Sequence, residues 1–395
     1  MKRPIYLDHL ATTPCDPRVV AAMLPYLTEH FGNAGSRTHQ YGWAADEAVK
    51  LAREHVAAVL GAQPREIIFT SGATEASNLA IKGVAEACVA RGRHVITQVT
   101  EHHAVLGPME ILEKHGFSVT RLPVDAEGRV DPAAVEAALR PDTILVSLML
   151  ANNEIGTVQP VAEVAALCRA RDVRVHTDAA QAVGKIPVDV HALGVDLLSL
   201  SGHKIYGPKG IGALYVRHGQ PRVPLVAQVH GGSQERGLRA GTLPVHQIVG
   251  FGEAMRLAGD LLADEGPRLA HLRDVLQAGI LAGLDGVYVN GPAEGRLPGA
   301  LSLSFDGVDG QGLITALREL ALSSGSACMS DPPTPSHVLA AIGRSPALVH
   351  ASLRFGLGRG TTAADVDAAV TCVVDGVRSL RARRAGVHPP AGIMR

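Results

Sequence analysis

The chain has 395 residues, a formal net charge of -1 and a hydrophobic share of 46%. That length leaves room for about two to three domains and a large core. The balanced charge excludes the basic excess expected of a nucleic-acid or membrane-surface protein. Forty-three glycines alongside only 3% aromatic residues suggest an α/β protein rich in tight turns, not a disordered one.

The opening segment, Met1 to Pro14, holds no apolar run long enough for a signal peptide. Nor does any later stretch approach a transmembrane span, so a cytoplasmic location is expected. From about residue 45 the pattern alternates helix and strand. Asp46 to Leu60 reads as an amphipathic helix with Val49, Ala52, Val56 and Val59 on one face and Gly61 as its C-cap. Ile67 to Thr70 is a short buried strand, and Thr74 to Ala90 a helix. Strands are expected at His94–Thr97, Val119–Leu122 and Thr143–Met149, with a helix opened by Asp131-Pro132 before the last of them. A helix over Val161–Arg171 leads to strands at Val173–Thr177, Leu197–Leu200 and Gly212–Val216.

Such alternation predicts a mostly parallel sheet with helices on both faces and right-handed connections. Near residue 250 the pattern changes. A long helical stretch, Val245–Leu281, enters a region with fewer strands, at Val287–Val289, Ala300–Phe305 and Ser352–Gly356. The expected division is a large domain over 15–255 and a smaller α+β domain from 1–14 and 256–380. Residues 381–395, with several Arg and two adjacent Pro, are expected to form a loose tail.

Five cysteines, with no CxxC pair, argue against a disulfide framework or a zinc site, and no metal is expected. Five clusters could carry chemistry. Ser71-Gly72-Ala73-Thr74-Glu75 follows a strand and opens a helix, where backbone N–H groups and a hydroxyl can hold a phosphate; it could equally be a plain turn and cap. Asp178 lies at a strand's carboxyl end, where open α/β sheets bind ligands. A carboxylate there can pair with a protonated ring nitrogen or simply cap the next helix. Lys204, in Ser199 to Lys204, again follows a strand; it suits an imine-forming amine or a solvated surface group. In Thr100-Glu101-His102-His103 at most one histidine can face a pocket from extended chain, and it could stack on a ring or move protons. Ser323 to Cys328 surrounds one thiol with small residues, and three prolines in Met329 to Pro335 support a loop. Loop placement argues against an inert buried cysteine. Taken together and in order, an anion site, a His, an Asp and a Lys at strand ends supply what pyridoxal phosphate needs.

With these residues in view, the sequence resembles the cysteine desulfurase family of fold-type I pyridoxal-phosphate enzymes, from Tyr6 to about Leu380. The resemblance is carried by I-I-F-T-S-G-A-T-E, N-N-E-I-G, S-G-H-K-I-Y-G-P-K-G-I-G-A-L-Y, R-A-G-T-L-P-V-H-Q and S-S-G-S-A-C. The last is similar to the NifS/IscS type, whose catalytic cysteine sits on a long loop; selenocysteine-favouring relatives usually have a shorter one. The resemblance implies a seven-stranded large-domain sheet and a homodimer. It implies that Lys204 carries the cofactor as an imine and that Asp178 pairs with the pyridine nitrogen. Gln181 would bond the phenolic oxygen, and His102 would stack on the ring and move protons. Ala73, Thr74, Ser201 and His203 would hold the phosphate, and Thr242 would reach the phosphate of the neighbouring subunit. Asn153 and Arg354 would bind the substrate carboxylate. Cys328 would take sulfur from L-cysteine as a persulfide, leaving alanine, and pass it to an acceptor or iron–sulfur scaffold protein.

The chain departs from the family pattern in Asp8-His9-Leu10-Ala11-Thr12-Thr13, where an aromatic residue often precedes the Ala-Thr-Thr. It departs again at Asn33-Ala34-Gly35, at Met329 after the cysteine, and in a short C-terminus. Two other functions are weighed. A selenocysteine lyase or other class V aminotransferase-type enzyme accounts less well for the S-S-G-S-A-C loop. A non-catalytic sulfur-relay subunit accounts less well for the intact Lys204, Asp178 and His102 set.

Overall fold

The computed structural model describes residues 3–324 and 335–384. The strands, in chain order, are β1 (Ile5–Tyr6), β2 (Ile67–Thr70), β3 (His94–Gln98), β4 (Ser118–Leu122), β5 (Thr143–Ser147), β6 (Arg174–Asp178), β7 (Leu197–Ser201), β8 (Gly212–Val216), β9 (Val287–Asn290), β10 (Ala300–Phe305), β11 (Leu320–Ala321), β12 (Ser323–Ser324) and β13 (Ser352–Gly356). The helices are α1 (Pro17–Met23), α2 (Pro25–Thr28), α3 (Gln40–Leu60), α4 (Ala73–Ala87), α5 (His103–Lys114), α6 (Pro132–Ala138), α7 (Val161–Ala170), α8 (Val190–Leu193), α9 (Val245–Gly283), α10 (Gly310–Ala316), α11 (His337–Ala341), α12 (Pro346–His350) and α13 (Ala363–Arg384).

Seven strands form one sheet in the order β2-β8-β7-β6-β5-β3-β4. Neighbours pair in parallel from β7 to β4, and only β8 runs against its neighbours β7 and β2. The mostly parallel sheet and the seven strands are therefore as expected. The central strands β3, β5, β6 and β7 are buried along their whole length, as parallel strands covered on both faces must be. Alternation sorts β2 between the two faces. Ile67 and Phe69 join the core under α3, α7 and the first half of α9, while Ile68 joins the core under α4 and α5. Each large side chain fully buried this way contributes about 1.5–3 kcal/mol.

A four-stranded antiparallel sheet, β12-β13-β10-β9, follows in the C-terminal region, and β1 pairs with β11 beside it. Its core is separate. Leu301, Leu303, Phe305, Leu353 and Phe355 pack with Leu276 and Ile280 of α9 and with Val366, Val373 and Val377 of α13. The two halves of α9 thus serve different cores, with Ile248 to Ala258 in one and Leu272 to Ile280 in the other.

Several boundaries differ from the sequence reading. α3 starts at Gln40, six residues early, because His39 caps it by accepting the Gly42 N–H on its ring. α5 and α13 were not expected. α13 opens on a reciprocal cap, in which the Asp365 carboxylate accepts from Thr362 N–H and Oγ1–H and the Thr362 hydroxyl accepts from Asp365 N–H. The expectation of a loose tail from Arg381 is corrected for its first four residues. Arg381 to Arg384 form the last turn of α13, and Arg381 donates to the carbonyls of Asp285, Gly286 and Asp306. Among the described residues, no helix is long and apolar enough to cross a membrane.

Candidate active site

β2, β6 and β7 run parallel, and their carboxyl ends open into one cavity of about 620 Å³. Ser71 to Glu75 line it from the β2–α4 turn, Asp178 from the end of β6 with Ala180 and Gln181 just beyond, and Ser201 from the end of β7 with His203 and Lys204 just beyond. His102 and Met149 come from beyond β3 and β5, and Arg354 from β13. This is where an open α/β sheet places its ligand.

Lys204 sits at the end of a single 3₁₀ turn after β7. Its Nζ donates to Leu10 O at 2.8 Å and to Ala11 O at 2.6 Å, so the amine is held over the cavity by the N-terminal segment. Asp178 is buried at the last position of β6 and accepts the Ala180 N–H at 2.9 Å. Burial pushes its pKa up to about 6, against the opposing pull of that N–H and of Lys204. An ionised carboxylate there lacks a full counter-charge, which a protonated heterocycle nitrogen would supply.

His102 is the N-cap of α5, and its Nδ1 accepts the Ala104 N–H at 3.0 Å. A backbone N–H can only donate, so the neutral ring carries its proton on Nε2. Burial, reinforced by Lys204, His103, His337 and Arg354, lowers its pKa to about 4. His103 turns away: it is exposed, and its ring lies 5.4 Å from that of His337. One histidine of the pair faces the cavity, as expected, although the chain turns into α5 at His103 and does not continue extended.

The anion cradle is built by absence. Gly72 precedes α4 and has no side chain to cap it. Among the described residues the helix's first N–H groups have no side-chain acceptor, and their residues line the cavity together with Ser201 and His203. Only a glycine fits at Gly212 beside this turn, since a Cβ there would lie 2.4 Å from Leu200 O and 2.8 Å from Gly72 Cα. His203 is also neutral, pushed down to about 4 by burial and Lys204, and its Nδ1 pairs with Thr12 Oγ1.

Arg354 is buried on β13. Its guanidinium donates to Asn153 O at 3.0 Å, to Asp8 Oδ1 at 3.0 Å and to Ser323 Oγ at 3.1 Å. Among the described residues its Nε has no partner. Gln181 is buried, with Nε2 donating to Leu10 O at 2.8 Å and Oε1 accepting from Lys185 Nζ at 2.5 Å.

Of the residues named from sequence, Ala73, Thr74, His102, Asn153, Asp178, Gln181, Ser201, His203, Lys204 and Arg354 line this one cavity. Thr242 does not: it is exposed and lies away from the lining. Cys328 lies outside the described residues. Asp8, Glu101 and Lys185 are given no role by the sequence pattern. Glu101 is fully buried, its Oε1 accepts the Met149 N–H, and burial raises its pKa well above the usual carboxylate range. Its signal was a carboxylate between Thr100 and His102 at a strand end. Lys185 stands four residues after Gln181, and no local pattern marks it.

The residues present fit pyridoxal phosphate: an uncapped helix terminus for an anion, a buried carboxylate short of counter-charge, and an amine within the same cavity. The class-V aminotransferase model matches residues 5–369. A cysteine desulfurase IscS from Methylococcus capsulatus is 55% identical over 96% of this chain and 94% of its own length. The chain belongs to the cysteine desulfurases of the class-V aminotransferase family. Among solved structures, a NifS-like protein superposes with a TM-score of 0.89 at 38% identity, covering 95% of this chain and all of its own. SspA in complex with cysteine does so with a TM-score of 0.79 at 39% identity, covering 89% of this chain and 98% of that one. The family implies pyridoxal phosphate, and fold-type I architecture agrees with the sheet described above.

Proposed function

We propose that this cysteine desulfurase removes sulfur from L-cysteine, giving L-alanine and a persulfide on Cys328. The observation that carries the reading is the single cavity holding Lys204, Asp178, His102 and the uncapped start of α4, with Arg354 on its wall. Pyridoxal phosphate, when bound, supplies the electron sink that lets an amino acid lose its α-proton and weakens its carbon–sulfur bond. Lys204 would hold it covalently, Asp178 would face its ring nitrogen, and Gln181 its phenolic oxygen. Ala73, Thr74, Ser201 and His203 would take its phosphate, and Thr242, exposed here, that of a second subunit in a homodimer.

The chain's own groups divide the remaining work. Arg354 and Asn153 bind the substrate carboxylate, because a fixed guanidinium matches that group's geometry. His102, neutral with its proton on Nε2, offers a donor to the reacting region. Cys328 as thiolate attacks the substrate sulfur; one carbon–sulfur bond breaks, one sulfur–sulfur bond forms, and the carbon left behind takes up a proton. Cysteine and one thiol thus become alanine and one persulfide, with no outside oxidant.

We propose further that the persulfide passes to an acceptor or iron–sulfur scaffold protein in the cytoplasm. The large domain would span 15–255 and the small one 1–14 with 256–380, a division supported by the two cores that share α9. The test is to incubate the enzyme with L-cysteine and measure alanine and protein-bound persulfide. C328S should keep its cofactor colour and respond spectrally to cysteine, yet form neither persulfide nor sulfide. Sulfur release surviving in C328S would overturn the role of Cys328.

A further inference from the structure

Lys185 is a second lysine at the site's back wall, and the proposed reaction leaves it without a role. It follows Gly184, whose φ of +71° turns the chain after the short turn that carries Gln181. A Cβ at Gly184 would lie 2.9 Å from Ile205 and 3.0 Å from Ala258, so the turn is packed too tightly for a side chain to fit without a shift. The turn returns Lys185 Nζ to the Gln181 side chain, where it donates to Oε1 at 2.5 Å. On the same amide, Nε2 donates to Leu10 O, the carbonyl that also accepts from Lys204. A small cavity behind the site is lined by Lys185 with His9, Lys204, Tyr206, Glu265 and Arg359. Glu265 pairs with Arg359, leaving no carboxylate hydrogen-bonded to Lys185 among the described residues. Burial, with Lys204 and Arg354 nearby, holds the Lys185 amine well below the normal lysine range.

An amide has two faces of opposite polarity, and a half-turn about its last bond exchanges donor for acceptor. The Leu10 carbonyl fixes one end of Gln181 and Lys185 the other. With both in place, the remaining N–H of Nε2 is the group the side chain can present to the main cavity, which Gln181 also lines. We propose that Lys185 is a positioning residue that locks the Gln181 amide with its N–H toward the cofactor's phenolic oxygen. The inference rests on the pyridoxal-phosphate reading of the site. A donor at that oxygen stabilises its negative charge and competes with the proton on the neighbouring imine. Loss of the donor leaves the imine more basic.

The experiment is a pH titration of cofactor absorbance in the purified holoenzyme, without substrate, for wild type, K185M, Q181A and K185M/Q181A. Borohydride first fixes the chromophore to Lys204 in wild type. Failure of that step defeats the cofactor reading and is separate from the comparison that follows. K185M should raise the colour-change midpoint by roughly 0.5–1 pH unit, the shift that one buried hydrogen bond supports. Q181A should raise it at least as far. The double variant should match Q181A, because Lys185 acts only through that amide. An unchanged midpoint in K185M overturns the proposal. So does a double variant whose shift is the sum of the two, which would mark Lys185 as an independent charge. If K185M does not retain cofactor, K185L enters the same comparison with a smaller apolar side chain.

Discussion

Asp178 sets stability against function, and the conflict can be measured. Its pKa rises from an ordinary 3.8 to about 6, chiefly through burial. At about 1.4 kcal/mol per pH unit, ionising Asp178 in the folded chain costs the fold on the order of 3 kcal/mol relative to the unfolded chain. The sign follows from proton counting. Between pH 3.8 and about 6 the folded state binds more protons at this site, so stability falls as pH rises, and above about 6 the full cost persists. Asn keeps the shape and the oxygen that accepts from Ala180 but never ionises. D178N should therefore stabilise the cofactor-free protein by up to about 3 kcal/mol at pH 8, by roughly half of that near pH 5, and by almost nothing below pH 3.8. The assay is the urea unfolding midpoint of cofactor-free wild type and variant across that range, at one protein concentration. The same substitution should weaken cofactor-dependent turnover, since a neutral amide cannot balance a protonated ring nitrogen. A D178N protein that is less stable than wild type by the same amount at both pH values would refute the reasoning.

Further expectations concern other walls of the site. R354K keeps the charge but loses the fork that donates to Asn153, Asp8 and Ser323, so KM for cysteine should rise roughly 10- to 100-fold in steady-state assays, with a smaller change in kcat. G212A forces a Cβ against Leu200 O and Gly72; it should cost about 1–3 kcal/mol in urea unfolding and release cofactor more readily on dialysis. His102, with a pKa lowered to about 4, binds fewer protons in the folded state than in the unfolded one between about 4 and 6.5. Its ring should stay neutral near pH 5.5 by NMR of the cofactor-free protein, and H102N should flatten the rise of stability with pH across that window.

Most strands were legible because strands buried on both faces are short apolar runs, whether they pair parallel or antiparallel; β1, β11 and β12, of two residues each, are too short to carry a pattern. Ile67–Thr70, Gly212–Val216 and Ala300–Phe305 end where the sequence pattern ends. Helices were less so. α5 starts from a histidine cap and contains Pro108, two features that argue against a helix when read locally. α13 carries a signal in the Thr362 to Asp365 spacing of its reciprocal cap.

The sequence by itself determined the kinds of groups this protein brings to its chemistry: one lysine, one aspartate and one histidine after strands, and a glycine opening a helix. Local order can do this because strand ends in a parallel sheet all reach the same edge. Only the tertiary structure decided what those groups are. Burial, which depends on every layer above the sheet, raises Asp178 and lowers His102. Contacts across more than 150 residues hold Lys204 to Leu10 and Ala11, and Arg354 to Asp8. Lys185 becomes visible only when the chain folds back on Gln181, because a hydrogen bond and a desolvated amine are properties of the packed site.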